Sequence, residues 1–209
     1  MLIETIVVGP LGVNCFILCD KQSNEGVVVD PGADCGLIIA AIARFGIKVK
    51  YILNTHGHFD HVGCNKALQE HTAAELLIHE KDLLLLSHAS RSGLKYGIKV
   101  EDSPAPSGYL TDGMRLAFGR RSIEVLHTPG HTEGGCSLLL RNEQLVITGD
   151  TLFADSVGRT DLPGGSHQEL IASIKTKLMP LPDETVVWPG HGPSTTIGRE
   201  RRSNPYING

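Results

Sequence analysis

The segment Thr55–His61, THGHFDH, places three histidines and one aspartate within six residues, His56 to His61. Imidazole nitrogen and carboxylate oxygen are donors that suit zinc, iron or manganese. In an extended loop, residues two apart point to the same side, so His56 and His58 can grip one ion. Asp60 and His61 come where the chain turns toward a helix and can aim at a second position beside the first. Packed together without an ion, these groups would bury like charges or unpaired polar atoms, which is costly. The loop therefore reads as two adjoining half-sites for metal.

Neither half is complete, because a catalytic zinc takes about three protein ligands and keeps one position open. Three residues at motif-like turns can supply the rest. They are His131 in TPGHTEGG, Asp150 in ITGDTLF and His191 in WPGHGPS. Each follows a strand-like run and is bordered by glycine or proline, which presents a side chain with little bulk around it. Alone, none of the three would carry this reading, since glycine-flanked turns are common. His71, His79, His88, His127 and His167 read as ordinary surface or core histidines.

The elements that must position these residues are legible in outline. Strand-like runs cover Leu2–Val8, Val13–Cys19 and Gly26–Asp30, separated by turn residues. Asp34–Phe45 has helical periodicity and ends at Gly46. Lys50–Asn54 is a short buried strand that runs into the histidine loop, and His61 to about His71 reads as the next helix. Leu76–His79 is a strand, Asp82–Leu86 a short apolar helix and Ser103–Gly108 a loop. Further strands fall at Met114–Phe118, Ser122–His127, Cys136–Arg141, Leu145–Thr148 and Thr185–Trp188. A helix spans Gln168–Met179, begun by Ser166 and Glu169 in capping-box spacing. No repeat or linker composition interrupts the chain, so 1–209 reads as one α/β domain with two sheets and helices outside them.

The 209 residues are 41% apolar and 20% charged, an ordinary globular balance. A net charge of -4 with no basic face gives no support to nucleic-acid binding. The one basic cluster, Arg199, Arg201 and Arg202, reads as a solvated helix face or as partners of acids such as Glu200. The five cysteines are odd in number and form no CxxC pair, so they predict buried thiols rather than a disulfide framework. No signal peptide or membrane span is read, and the expectation is a cytoplasmic protein without a membrane partner.

THGHFDH resembles the signature loop of the metallo-β-lactamase superfamily, and Asp30 in VVVDPGAD, His131, Asp150 and His191 follow in the expected order. The resemblance covers almost the whole chain. It implies an αβ/βα four-layer sandwich, two mixed sheets face to face with helices outside. It also implies two divalent metal ions, zinc first with iron or manganese as alternatives. His56, His58 and His131 would bind the first, Asp60, His61 and His191 the second, and Asp150 would bridge them. Asp60 and Asp150 would be the catalytic carboxylates, and Asp30 would orient a ligating histidine.

Within the superfamily the chain is most similar to glyoxalase II, the hydroxyacylglutathione hydrolases, and their short single-domain relatives. The similar segments are VNCFIL, GHTEGGCSLL, GDTLFADSVGRTDLPGGS and PGHGPSTTIGRERRSNPYI. That implies hydrolysis of a small-molecule thioester, glutathione-linked in the parent enzymes. Two ions sharing a water lower its pKa and polarise a carbonyl, which suits this chemistry. The match departs at its end, where residues 192–209 leave no room for the helical domain that supplies much of the glutathione site. Persulfide dioxygenases are the rival. They share the GRTD stretch and use one iron at positions matching His56, His131 and Asp150. A non-catalytic metal module, a nuclease and a true β-lactamase fit less well. In the GRTD loop, Arg159 is expected to pin the chain through Asp161 rather than to touch substrate.

Overall fold

A computed structural model describes residues 1–208, and the chain divides into two compact units. The first comprises residues 1–109 and 117–122, the second 110–116 and 123–209.

The first unit is built on a six-stranded sheet in sequential order, β1 to β6. Its strands are β1 (Leu2–Val8), β2 (Val13–Cys19), β3 (Glu25–Val29), β4 (Lys48–Leu53), β5 (Glu75–His79) and β6 (Gly108–Leu110). The first three are antiparallel, joined by tight turns, while β3, β4 and β5 run parallel. Parallel neighbours need crossovers, and α1 (Cys35–Phe45) and α3 (Asn65–Thr72) provide them. Ile38 and Ile42 of α1 and Leu68 of α3 share a core with Ile17, Val28, Ile52 and Leu76. Every residue of β2 is buried, as expected for a strand covered on both faces.

The single helix expected from His61 to His71 is instead two, α2 (Phe59–Val62) and α3, broken at Gly63. A side chain at Gly63 would bring its Cβ within 2.3 Å of the Gly32 carbonyl oxygen, so the backbones meet there. The Cys64 amide donates to the Pro31 carbonyl at 2.8 Å beside this contact. The apolar stretch after β5 becomes a 3-10 turn and α4 (Leu83–Ser87), then α5 (Ala89–Lys95), which periodicity did not reveal. Phe59 and Val62 of α2 pack on Ile78, Leu86 and Ala89.

The cysteine expectation needs correction. Cys35 and Cys64, 29 residues apart in sequence, are joined by a disulfide with their Cα atoms 5.4 Å apart. Nothing in the spacing announces it; the crossover geometry brings the starts of α1 and α3 together. Cys15, Cys19 and Cys136 are free and buried, as expected. Burial raises the Cys15 and Cys19 thiol pKa values, so these two stay protonated.

A second six-stranded sheet has the order β14-β13-β10-β9-β8-β7. Its strands are β7 (Arg115–Phe118), β8 (Arg121–His127), β9 (Cys136–Leu140), β10 (Leu145–Gly149), β13 (Val186–Pro189) and β14 (Thr195–Thr196). A small hairpin, β11 (Leu152–Phe153) with β12 (Ser156–Val157), follows β10. Both β9 and β10 are buried throughout, and β10 runs parallel to β13. The connection between them carries α6 (His167–Ser173), which starts where expected: Ser166 accepts from the Glu169 amide. Leu170, Ile174 and Leu178 pack on Val146 and Val187. The chain ends in α7 (Ile197–Ser203) and α8 (Pro205–Asn208). The basic residues of α7 pair with Asp155 and Asp183. Pairing with nearby acids is thus as expected, but Glu200, named as an example, is instead buried, accepting from Thr195, Asn204 and the Asp155 amide. No helix among the described residues is long and apolar enough to cross a membrane.

Candidate metal centre

In the first unit, the carboxyl ends of three parallel strands deliver the polar side chains, the usual place for a site in such sheets. Asp30 follows β3, the loop 54–61 follows β4, and Asp82 lies just beyond β5. Asp30 is fully buried and is the hub. Its Oδ1 accepts from the Thr55 amide at 2.7 Å. Its Oδ2 accepts from the Thr55 hydroxyl at 2.6 Å and meets His61 Nδ1 at 3.0 Å. Asp30 holds this position in a left-handed backbone conformation (φ 49°), which aspartate tolerates better than most residues.

These contacts decide which ring nitrogens can bind metal. A carboxylate at Nδ1 fixes the proton of His61 there and leaves Nε2 as the lone-pair atom. The Thr55 hydroxyl gives its only hydrogen to Asp30, so it accepts from His56 Nδ1, 3.1 Å away. His56 therefore also offers Nε2. The rings of His56 and His58 lie edge to face with centroids 4.8 Å apart, and those of His56 and His61 are tilted, 4.2 Å apart. Asp60 Oδ2 stands 3.7 Å from His61 Nε2. Two donors bound about 2.1 Å from one ion stand roughly 3–3.7 Å apart. The spacing is too long for a hydrogen bond and right for a shared ion.

Three supports of this loop were not foreseen. Asp82 Oδ2 accepts from the Gly57 amide at 2.8 Å, between the first two histidines. Asn54 and Asn65 exchange reciprocal amide bonds, and Asn54 also donates to the His61 carbonyl. Thr55 sets the His56 ring as described above. The signal for Asp82 was weak: one acid at the head of an apolar run. Asn54 and Asn65 carry no signal at all.

In the second unit, Asp150 and His191 leave the carboxyl ends of neighbouring parallel strands β10 and β13. The Gly190 amide donates to the Gly149 carbonyl at 2.8 Å and holds the two ends together. His131 comes from the turn between β8 and β9. Its Nδ1 donates to the Arg159 carbonyl at 2.8 Å, so Nε2 is again the lone-pair atom. Asp150 Oδ2 lies 3.7 Å from His131 Nε2 and 3.6 Å from His191 Nε2. One oxygen thus faces two imidazoles at ligand spacing. The turn is tight: a Cβ on Gly158 would fall 1.9 Å from the Asp150 carbonyl oxygen. Arg159 binds Asp161 through two bonds, at 2.7 and 2.8 Å, as expected of a loop pin. That guanidinium holds the Asp161 carboxyl down at about 2.

The donor set in each unit is imidazole and carboxylate, and the rings of His56, His61 and His131 are held with Nε2 available for coordination. It fits a divalent transition metal better than calcium or magnesium. The model for the metallo-β-lactamase superfamily matches residues 8–191. The chain belongs to that superfamily. All seven residues of the expected ligand set lie inside the matched span, and the α/β fold with two mixed sheets and their own helices is the one expected. Hydroxyacylglutathione hydrolase GloC of Haemophilus influenzae is 37% identical, with 100% of this chain and 99% of that protein aligned. The crystal structure of the BLEG-1 B3 metallo-β-lactamase is similar at a TM-score of 0.92 and 36% identity, covering all of both chains. TTHA1623 in a di-iron-bound form is similar at 0.90 and 39% identity, covering 97% of this chain and 99% of that one.

Proposed function

We propose that the chain is a binuclear metal-dependent hydrolase cleaving a small-molecule thioester of the hydroxyacylglutathione type. His56, His58 and His131 are assigned to one ion, Asp60, His61 and His191 to the other, and Asp150 to both. Asp60 and Asp150 are the carboxylates in contact with the reaction. The observation that carries the reading is Asp150 Oδ2, set 3.6–3.7 Å from two imidazoles that this scheme gives to different ions. Zinc is the proposed metal; the di-iron form of TTHA1623 keeps iron as the alternative. The 37% identity to GloC over the full chain supports the substrate class. Net charge -4 favours a small-molecule partner over nucleic acid.

When bound, the ions supply an activated water and polarise the acyl carbonyl. The chain supplies position. Asp30 and the Arg159 carbonyl hold His61 and His131 with Nε2 available. A carboxylate behind an imidazole also raises its basicity as a ligand. A thiol leaving group has a pKa of about 8.5, so it departs as thiolate without a general acid. No Ser–His–Asp arrangement is then required.

The test is hydrolysis of an acyl-glutathione, run beside oxygen uptake with glutathione persulfide and hydrolysis of a β-lactam. Thioester cleavage that chelator and His58→Ala both abolish supports the proposal. Oxygen uptake without thioester cleavage would replace it with an iron dioxygenase on His56, His131 and Asp150, which shares the His131–Asp150 pairing. Turnover of the β-lactam alone would place the chain with BLEG-1 instead.

A further inference from the structure

We propose that the Cys35–Cys64 disulfide is a thiol-exchange site that takes a low-molecular-weight thiol onto Cys35. The disulfide lines a cleft of about 450 Å³ in the first unit, whose lining also includes Gly9, Pro10, Asp34, Lys99 and Glu101. That volume suits a small organic molecule. The two sulfurs are not equivalent. Cys35 is half-buried, whereas Cys64 is 1% exposed. An incoming thiolate therefore reaches the Cys35 sulfur, and Cys64 is the leaving group.

Burial of Cys64 disfavours the departing thiolate, and the helix start at which it sits works against that cost. Cys64 occupies the N-cap of α3, an eight-residue helix, and as a disulfide its side chain caps nothing. A helix start leaves first-turn amides without intrahelical partners, and a thiolate released there can accept from them. Helix N-termini favour thiolate, and a more stable leaving thiolate leaves faster.

In the first step the thiolate attacks the Cys35 sulfur. The Cys35–Cys64 bond breaks, a mixed disulfide forms at Cys35, and the electron pair goes to the Cys64 sulfur. A second thiol attacks the mixed disulfide, releasing the small disulfide and leaving both cysteines reduced. Two thiols supply the two electrons, and the small disulfide reverses the sequence. Asp60 lines the same cleft, so the adduct shares its space with a residue of the metal loop. The exchange goes beyond the hydrolase reading and does not require it.

The probe is glutathione, reduced and oxidised, applied to the folded full-length protein. Acid quenching, alkylation and peptide mass spectrometry then locate each bond. Excess reduced glutathione should open the disulfide in the native protein, passing through an adduct on Cys35. In Cys64→Ser, oxidised glutathione should modify Cys35 at least about tenfold faster than buried Cys15, Cys19 or Cys136. A disulfide that resists excess thiol until urea unfolds the protein would overturn the proposal. So would an adduct on Cys64 in the wild type, or a Cys35 in the variant no faster than the buried thiols. Circular dichroism checks the variant's fold, and if it fails to fold the wild-type result decides alone.

Discussion

The two proposed ligand sets are assigned the same work and have different supports. In the first unit four proposed ligands crowd into six residues, and a buried side chain, Asp30, orients His61 and, through Thr55, His56. In the second unit three proposed ligands come from three separate turns, and a backbone carbonyl, that of Arg159, orients His131. The first set can therefore be disordered by changing one orienting side chain outside the ligands. Substitution of Arg159 does not do the same to the second, because its carbonyl survives a side-chain change. What the second set depends on is strand register: Asp150 and His191 are in place because β10 and β13 run parallel and end together.

The largest effect should come from Asp150→Ala, which removes the oxygen facing both His131 and His191. Loss of several kcal/mol of charge stabilisation corresponds to a fall on the order of 10³-fold in thioester kcat/KM, with metal lost in elemental analysis. Next comes the test of the contrast itself. Asp30→Asn should cost about 10- to 100-fold in metal affinity or rate, as loss of a ligand-orienting carboxylate does. Arg159→Ala, which keeps the carbonyl, should change either by less than about threefold, the scale of an exposed ion pair. Equal losses in the two variants would erase the distinction.

Asp82→Ala is a smaller perturbation and acts on stability. It leaves the Gly57 amide without its carboxylate acceptor, worth about 1–3 kcal/mol in thermal unfolding. The smallest effects are electrostatic, one in each unit. The backbone amide and guanidinium of Arg120 hold Asp20 at about 2, below its ordinary 3.8, and Arg159 does the same for Asp161. A depressed carboxyl stabilises the fold fully above its unfolded pKa and loses that contribution as pH falls through the folded one. Unfolding midpoints should therefore drop between pH values near 3.8 and 2, and Asp20→Asn should flatten the fall. A wild-type curve unchanged by that substitution would refute the assignment to Asp20.

The same contrast explains what was legible in the sequence. THGHFDH announces itself, because metal chemistry concentrated in six residues has few other readings. His131, Asp150 and His191 gain meaning only together, since each alone is a polar residue at a glycine turn. Strands β1 and β2 were placed to the residue by their bounding turns. The break at Gly63 and the Cys35–Cys64 bond were not legible, because both arise from segments about 30 residues apart meeting in space. Helix α5 was hidden because short helices with few buried positions leave little periodicity: only Ala89 and Gly93 are buried in it. The support from Asp82 was hidden for a different reason: a hydrogen bond to one backbone amide has no sequence pattern.

The central claim is that both ligand sets act on metal. Elemental analysis of protein purified without chelator tests it most directly, on the wild type and on His191→Ala. The account predicts about two metal ions per chain in the wild type and loss of one in the variant. One ion per chain in both proteins would contradict it, leaving Asp60, His61 and His191 without the ligand role assigned to them.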